Sequence, residues 1–373
     1  MDILHSVSIH TVIAYAALQD SLKGAAAMSV NIYDVARCAR VSSATVSRVL
    51  NGSPHVSEAT RKRVIRTIAE LDYTPNALAR KLSTGNTGNI GFLIPDIENP
   101  FFAQLLRGIT NAADESGYNI FLYGTDDSVE KEHRFFEYVK TERLSGILVI
   151  PVDAENEETC SRLLAFEEAG VPVVLIDRSL KHGRFDGVFS EDFRGSMDAV
   201  ECLLHEGHRR IATIRGPENS RPGNERWLGY LAAFSKWNLQ PDPRYAAQGD
   251  FHQERAYAAM HEIMEQDEPP TAVFAANNMT ALGCLRYFRE HGLRLGEDVS
   301  MIGFDEIEML YYGGICLSVV DRDVYRMGRD AIHLLTRRIE AAEGKAAAEL
   351  GRHEIFLPTR LVLRGSEKWR GES

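Results

Sequence analysis

SVNIYDVARCARVSSATVSRVLNGSPHVSEATRKRVIRTIAELDYTPNALARKL, residues Ser29 to Leu82, carries helix start and stop signals at close spacing. Asn31 is a suitable N-cap for a helix with Ile32, Val35 and Ala36 on one face, and Ser42 suits a second helix running from Ala44 to Leu50. Two helices only a few residues apart have the spacing of a helix-turn-helix. Asn51-Gly52 stops the second helix. Ser57 caps a third, whose Val64, Ile65, Ile68 and Leu71 predict an apolar face that closes a small core.

In such an arrangement the second helix enters the major groove of DNA. That places Ser43, Ala44 and Arg48, with Ser42 and Thr45 on the same turns, at the base edges. Arg48 suits a guanine edge or a phosphate, and Ala44 suits a thymine methyl. Tyr33, Asn51, His55, Ser57 and Thr60 fall near helix ends, where hydroxyl, amide and backbone donors hold phosphates. A solvated three-helix bundle that binds protein is the alternative, and charge favours DNA. From Ser29 to Gly88 there are nine Lys and Arg against four Asp and Glu, a balance of +5. The whole chain carries −11, so the remainder carries −16. A basic head on an acidic body grips nucleic acid at one end.

The chain has 373 residues, enough for two or three domains, with the composition of a water-soluble globular protein. Its five cysteines, Cys38, Cys160, Cys202, Cys284 and Cys316, are scattered and lack metal-type spacing, which fits a reducing cytoplasm. Ile9 to Leu18 is apolar but too short for a membrane span. Beyond the head, β-rich runs at 90–94, 119–123, 146–150 and 171–176 are separated by helix-length segments. The pattern continues at 210–214, 272–275 and 299–304. Alternating strands and helices predict two parallel sheets, and a cleft between them.

Ligands of open α/β sheets bind beyond the carboxyl ends of the strands. This rule selects Asp96, Asn99 to Phe102, Asp126, Asp127, Asp177, Arg178, Asn277, Asn278 and Asp305. Carboxylates and amides pair with vicinal hydroxyls, and aromatic rings stack on the apolar faces of sugars, so the set suits a polyhydroxylated ligand.

The runs IYDVA, VSSATVSRVLNG, VSEATRKRV, LDYTPNALARKL, NIGFLIPDIENPFF and LPTRLVLRGS resemble the bacterial lactose-repressor/galactose-repressor (LacI/GalR) family, and the similarity covers nearly everything beyond Met28. It implies a small all-α helix-turn-helix head on an α/β core of two Rossmann-like sub-domains, of periplasmic-binding-protein type. The corresponding divisions are an extension at 1–28, a head at 29–75, a hinge at 76–88 and an effector-binding and dimerisation core at 89–373. Within the core, about 89–190 plus 321–350 form one sub-domain, and about 191–318 plus 353–370 the other. Met28 is the expected natural start, with a disordered or loosely helical extension as the alternative. In the hinge, Asn76, Ala79 and Leu82 are expected at the DNA, Leu82 as an apolar wedge in the minor groove.

The resemblance also points to Phe101, Phe102, Asp177, Phe189, Arg226, Phe251, Asn277 and Asp305 as effector-facing positions. Arg226 lies in the R-x-x-G-(aromatic) motif from Arg226 to Tyr230, and Asp305 closes Gly303-Phe304-Asp305. Four departures stand out. Arg40 replaces the Gly or Asn of the helix-turn-helix turn, which demands a left-handed backbone or an altered turn. Asn278 stands where Asp is usual, Glu191-Asp192 replace Asp-Asn, and Arg322-Asp323 replace Gln-Pro. Arg322 joins the effector-facing set and hints at an acidic ligand. The implied partners are a near-palindromic double-stranded operator, a sugar-like effector and a second copy of the chain. No heptad run follows Arg364, so a dimer is expected and not a tetramer. A periplasmic binding protein would need a secretion signal and no basic head. An enzyme would need a nucleophile elbow, a P-loop, a metal cluster or a dinucleotide fingerprint, and none is legible. No cofactor, metal or membrane partner is expected.

Overall fold

The computed structural model describes residues 31–50, 55–71, 88–344 and 351–368, and the chain divides into two compact units, Met1–Thr84 and Gly85–Ser373. The first unit contains α1 (Ile32–Ala39), α2 (Ser43–Leu50) and α3 (Glu58–Glu70). The Asn31 side chain accepts from the Tyr33 and Asp34 N–H groups, and the Asp34 carboxylate accepts from the Asn31 N–H, a capping box. Ser42 accepts from the Thr45 N–H at 3.1 Å and Ser57 from the Thr60 N–H at 3.4 Å. Val35, Ala36, Ala39, Val46, Val49 and Val64 form the small core. Ile65 departs from expectation: it is 55% exposed, while Thr67 is buried. Adjacent helical positions diverge by about 100°, so the stripe through Val64, Thr67, Ile68 and Leu71 leaves Ile65 at its edge. Asn51, Asn76, Ala79 and Leu82, the hinge up to Thr87 and the extension at 1–28 lie outside the described residues.

Arg40 has φ 52 and ψ 49, the left-handed backbone its position demands. Its N–H and that of Val41 donate to the carbonyls of Arg37 and Ala36 at 3.2 and 3.0 Å, closing α1.

In the second unit, the first lobe alternates β1 (Asn89–Ile94), α4 (Pro100–Glu115), β2 (Asn119–Gly124), α5 (Val129–Val139), β3 (Gly146–Val149), α6 (Glu157–Glu168), β4 (Val173–Ile176) and β5 (Asp186–Ser190). The second lobe continues with α7 (Asp192–His205), β6 (Ile211–Arg215), α8 (Arg221–Lys236), β7 (Ala246–Gln248), α9 (Gln253–Met264), β8 (Ala272–Ala275), α10 (Asn278–Glu290), β9 (Ser300–Phe304), α11 (Glu308–Tyr312) and β10 (Ser318–Arg322). The chain then returns to the first lobe as α12 (Val324–Ala342) and β11 (Glu354–Leu357), and ends in the second as β12 (Thr359–Val362). Sheet orders are β11-β5-β4-β3-β1-β2 and β12-β10-β9-β8-β6-β7. All pairings are parallel except β12 with β10.

The inner strands are buried on both faces, which is why β1, β3, β4 and β9 read as continuous apolar runs and not as alternating ones. Each sheet is sandwiched between two apolar clusters. In the first lobe α4 and α12 approach so closely that a Cβ on Gly108 would lie 2.1 Å from the Tyr325 carbonyl oxygen. Only glycine fits there.

Two boundaries within the core differ from the sequence reading. β10 keeps residues 318–322 in the second sheet, so 321 and 322 do not belong to the first lobe. Glu354–Leu357 pairs with β5 and belongs to the first lobe, not the second. The four-residue strands β11 and β12 are separated only by Pro358, which has no N–H to offer either ladder, and nothing else in the sequence marks the change of sheet.

Relief of the left-handed strain is expected to outweigh the flexibility of glycine. Arg40→Gly should therefore stabilise the head by up to about 1 kcal/mol. Slower exchange of the amides of α1 and α2 would report it, and faster exchange would contradict it.

Candidate DNA-reading face and ligand cleft

On α2 the buried Val46 and Val49 face the mini-core, which leaves Ala44 and Arg48, one turn apart, exposed on the opposite side. Ser43 and Thr45 are half-buried beside them. The hydroxyls of Ser42 and Ser57 bond to Thr45 and Thr60, so these serines act first as helix caps. Tyr33 and His55 are exposed. The face thus offers one long cationic donor and one methyl at the helix start, the chemistry of base-edge contact.

The cleft is built from strand ends. Six of the eight non-glycine residues with positive φ among the described residues follow core strands: Asp126 and Asp127 after β2, Asp177 after β4, Asp250 and Phe251 after β7, and Asp305 after β9. A left-handed residue turns the chain sharply out of the strand, and holding one costs about 1–3 kcal/mol, a cost characteristic of functional sites. Asp127, Asp177, Asp250, Phe251 and Asp305 all line the space between the lobes.

Two buried arginines organise that space. Arg322, at the end of β10, donates from Nε to Asp305 Oδ1 at 2.6 Å and from Nη2 to Asp305 Oδ2 at 3.3 Å. Its Nη1 donates to Asp177 Oδ1 at 2.6 Å and to Ser190 Oγ at 3.1 Å. The guanidinium lies 4.3 Å from the centre of the Phe101 ring. Asp177 and Ser190 belong to the first lobe and Asp305 to the second, so one side chain bridges the cleft. Arg226, from α8, donates to Asp192 Oδ1 at 2.9 and 2.7 Å and to the Ala276 carbonyl at 2.6 Å, packed 3.6 Å from the centre of the Phe304 ring. Two further bonds cross the cleft: Asn278 Nδ2 donates to Asn99 Oδ1 at 2.7 Å, and the Ala154 N–H to the Asn219 carbonyl at 2.9 Å.

Burial works against ionisation of Asp177, but the guanidinium of Arg322, and then that of Arg226, outweigh it and hold this carboxyl below its ordinary range. Burial likewise opposes the charge on Arg322, and Asp305 with Asp177 more than compensates, so its pKa is raised. Asp192 goes the other way. Burial lifts its pKa despite Arg226, and Oδ2 has no hydrogen-bond partner among the described residues.

Two cavities result. An inner one of about 30 Å³ is lined by Phe101, Phe102, Asp177, Arg226, Phe251, Asn277, Asp305 and Arg322 of the expected set, together with Asp96, Asn99, Asp127, Arg178, Pro222 and His252. An outer one of about 720 Å³ shares Asp127, Arg178 and His252 with it and adds Arg215, Gln248 and Asp250 among others. Phe189 lines neither. It is buried on β5 in the cluster formed by Phe135, Phe136 and Leu175, 5.8 Å from Phe356, while Ser190 beside it reaches the cleft. Side chains alternate along a strand, so adjacent residues cannot both face the ligand. Asp192, Arg215, Gln248 and His252 escaped the sequence reading as site residues. Asp192 had one visible signal, its place among the departures. Nor does Arg322 present a spare positive charge to an acidic ligand, since two carboxylates of the protein neutralise it.

A helix-turn-helix head and a two-lobed α/β core with a polar cleft define a ligand-responsive DNA-binding protein. The profile of "Bacterial regulatory proteins, lacI family" matches residues 31–76, and that of "Periplasmic binding protein-like domain" matches 200–367. The HTH-type transcriptional repressor PurR of Aliivibrio salmonicida is 33% identical over 309 residues, 83% of this chain and 92% of its own. The structure of the Lac repressor dimer bound to operator and the anti-inducer ONPF matches with a TM-score of 0.76 and 28% identity, over 91% of this chain and 99% of its own. The transcriptional regulator CelR–cellobiose complex matches with a TM-score of 0.67 and 30% identity, over 90% of this chain and 99% of its own. The chain belongs to the lacI family of bacterial regulatory proteins and is a DNA-binding transcriptional regulator with an effector-binding core.

Arg226→Met should destabilise the core by about 3–5 kcal/mol, because it leaves Asp192 buried without its partner. Adding Asp192→Leu to that variant should restore much of the loss, as read by urea denaturation. Equal midpoints for the single and double variants would show that the pair is not a unit.

Proposed function

We propose that the protein is a repressor acting in the bacterial cytoplasm as a homodimer on a near-palindromic operator, with its DNA affinity set by a small sugar-like effector in the core cleft. The observation that carries the reading is the joining of an exposed Ala44 and Arg48 face on a basic head to strand-end carboxylates, amides and aromatics that converge between two lobes. Two heads require two half-sites, and the two-fold axis of a dimer imposes the palindrome. The related Lac repressor structure, a dimer on operator, supports this assembly, and the cellobiose complex of CelR supports a carbohydrate effector. Effector binding shifts the relative orientation of the lobes and so alters operator affinity, and by reciprocity operator binding alters effector affinity. The relatives are regulators and not enzymes, and the cleft of this chain works by binding, without turnover and without a cofactor. No helix among the described residues is long and apolar enough to cross a membrane.

Fluorescence anisotropy with the promoter DNA of the adjacent operon tests the reading. Saturable binding should weaken steeply with salt, and Arg48→Ala should cost about 1–3 kcal/mol if Arg48 reads a base. Absence of binding at low salt would overturn the proposal. Light scattering at micromolar concentration should give the mass of two chains, and the mass of four would contradict the dimer.

A further inference from the structure

We propose that Arg322 is a tethered occupant of the inner cleft, a specificity-determining residue that fills with its own guanidinium the place between Asp177 and Asp305 where an effector ring would otherwise sit. This rests on the cleft being the effector site. Three observations carry it. The guanidinium meets its surroundings as a bound polar ring would, with donors to two carboxylates and a hydroxyl and its central carbon 4.3 Å from the centre of the Phe101 ring. It does so between lobes, with Asp177 and Ser190 on one side and Asp305 on the other. What remains around it is about 30 Å³, room for about one or two waters and none for a sugar.

The occupant therefore moves recognition outward. The adjoining chamber of about 720 Å³ falls in the 300–1,000 Å³ range typical of small-molecule sites. Its charged groups are paired: Arg178 with Asp127 at 2.8 Å, Arg215 with Glu218 at 3.1 Å, and Asp250 with Arg255. Such a lining offers both donors and acceptors without net positive charge, and so takes a neutral polyhydroxylated molecule in preference to an acid. It meets the inner cavity at Asp127, Arg178 and His252, which line both.

Chemical rescue tests the proposal without knowledge of the effector. Arg322→Ala should leave a guanidinium-shaped vacancy bounded by Asp177, Asp305 and Phe101. Millimolar ethylguanidinium chloride should then raise the melting temperature of the full-length variant saturably, by about 2–4 °C. Ethylammonium chloride at equal ionic strength should not, and the parent protein should show no rise with either salt. Should Arg322→Ala fold poorly, Arg322→Gly serves as the second host, with propylguanidinium as the longer probe. X-ray scattering should show both variants more expanded than the parent and recompacted by the guanidinium salt. Equal responses of variant and parent, or equal effects of the two salts, would overturn the proposal. Because no DNA is present, its failure would leave the operator-binding result untouched, and failure of operator binding would leave this one readable.

Discussion

The core is organised around one guanidinium. Taking an arginine and two aspartates out of water is costly, and their attraction offsets that cost only when the geometry is good and the remaining donors are satisfied. Arg322 meets the condition by a fork onto Asp305 and a further donor shared between Asp177 and Ser190. Since these partners come from different lobes, the condition holds only while the lobes are closed. The left-handed backbones of Asp177 and Asp305, with φ 62 and 70, aim both carboxylates at the same point. Local strain at two strand ends thus supports a bond between two sheets.

Arg226 has a different role. Its partners, Asp192 and the Ala276 carbonyl, belong to its own lobe, so it fixes α7 against α8 and the end of β8 and builds one wall of the cleft. The weaker approach of its Nη1 to Asp305 Oδ2, at 3.9 Å, joins that wall to the bridging cluster. Three arginines line the inner cavity, yet it does not present a cationic surface, because each has a carboxylate of the protein beside it. This pairing leaves the inner cavity without a spare cationic charge, which residue composition does not reveal.

The sequence showed where the strands end, because two-sided burial writes parallel strands as apolar runs and the first polar residue after each run marks the cleft. It therefore located Asp177, Asn277 and Asp305. It also singled out Arg40 and Arg322, as residues at odds with their surroundings. For Arg40 the local chain dictates the outcome, and the left-handed turn follows. Arg322 differs, since its partner Asp177 lies 145 positions away and no local signal says whether a charge is matched. Phe189 was misplaced by a single step of strand alternation. The division at Pro358 was invisible because two short strands of similar composition run into different sheets. What sequence conveys here is periodicity and local strain; what it withholds is long-range pairing.

A ligand changes the balance between two lobe orientations only by the difference in its affinity for them. In this core the closed orientation already has its charges satisfied by Arg322, so an effector gains little from the Asp177 and Asp305 pair. The differential must come from surfaces that only closure brings face to face. Asp127 and Arg178 on the first lobe and Arg215, Gln248 and Asp250 on the second are such surfaces, set around one chamber. The bridging cluster then sets the equilibrium in the absence of effector, and the outer walls determine how far an effector displaces it. Strengthening the bridge and strengthening the outer contacts are separate routes to the same closed state, and the first needs no ligand at all.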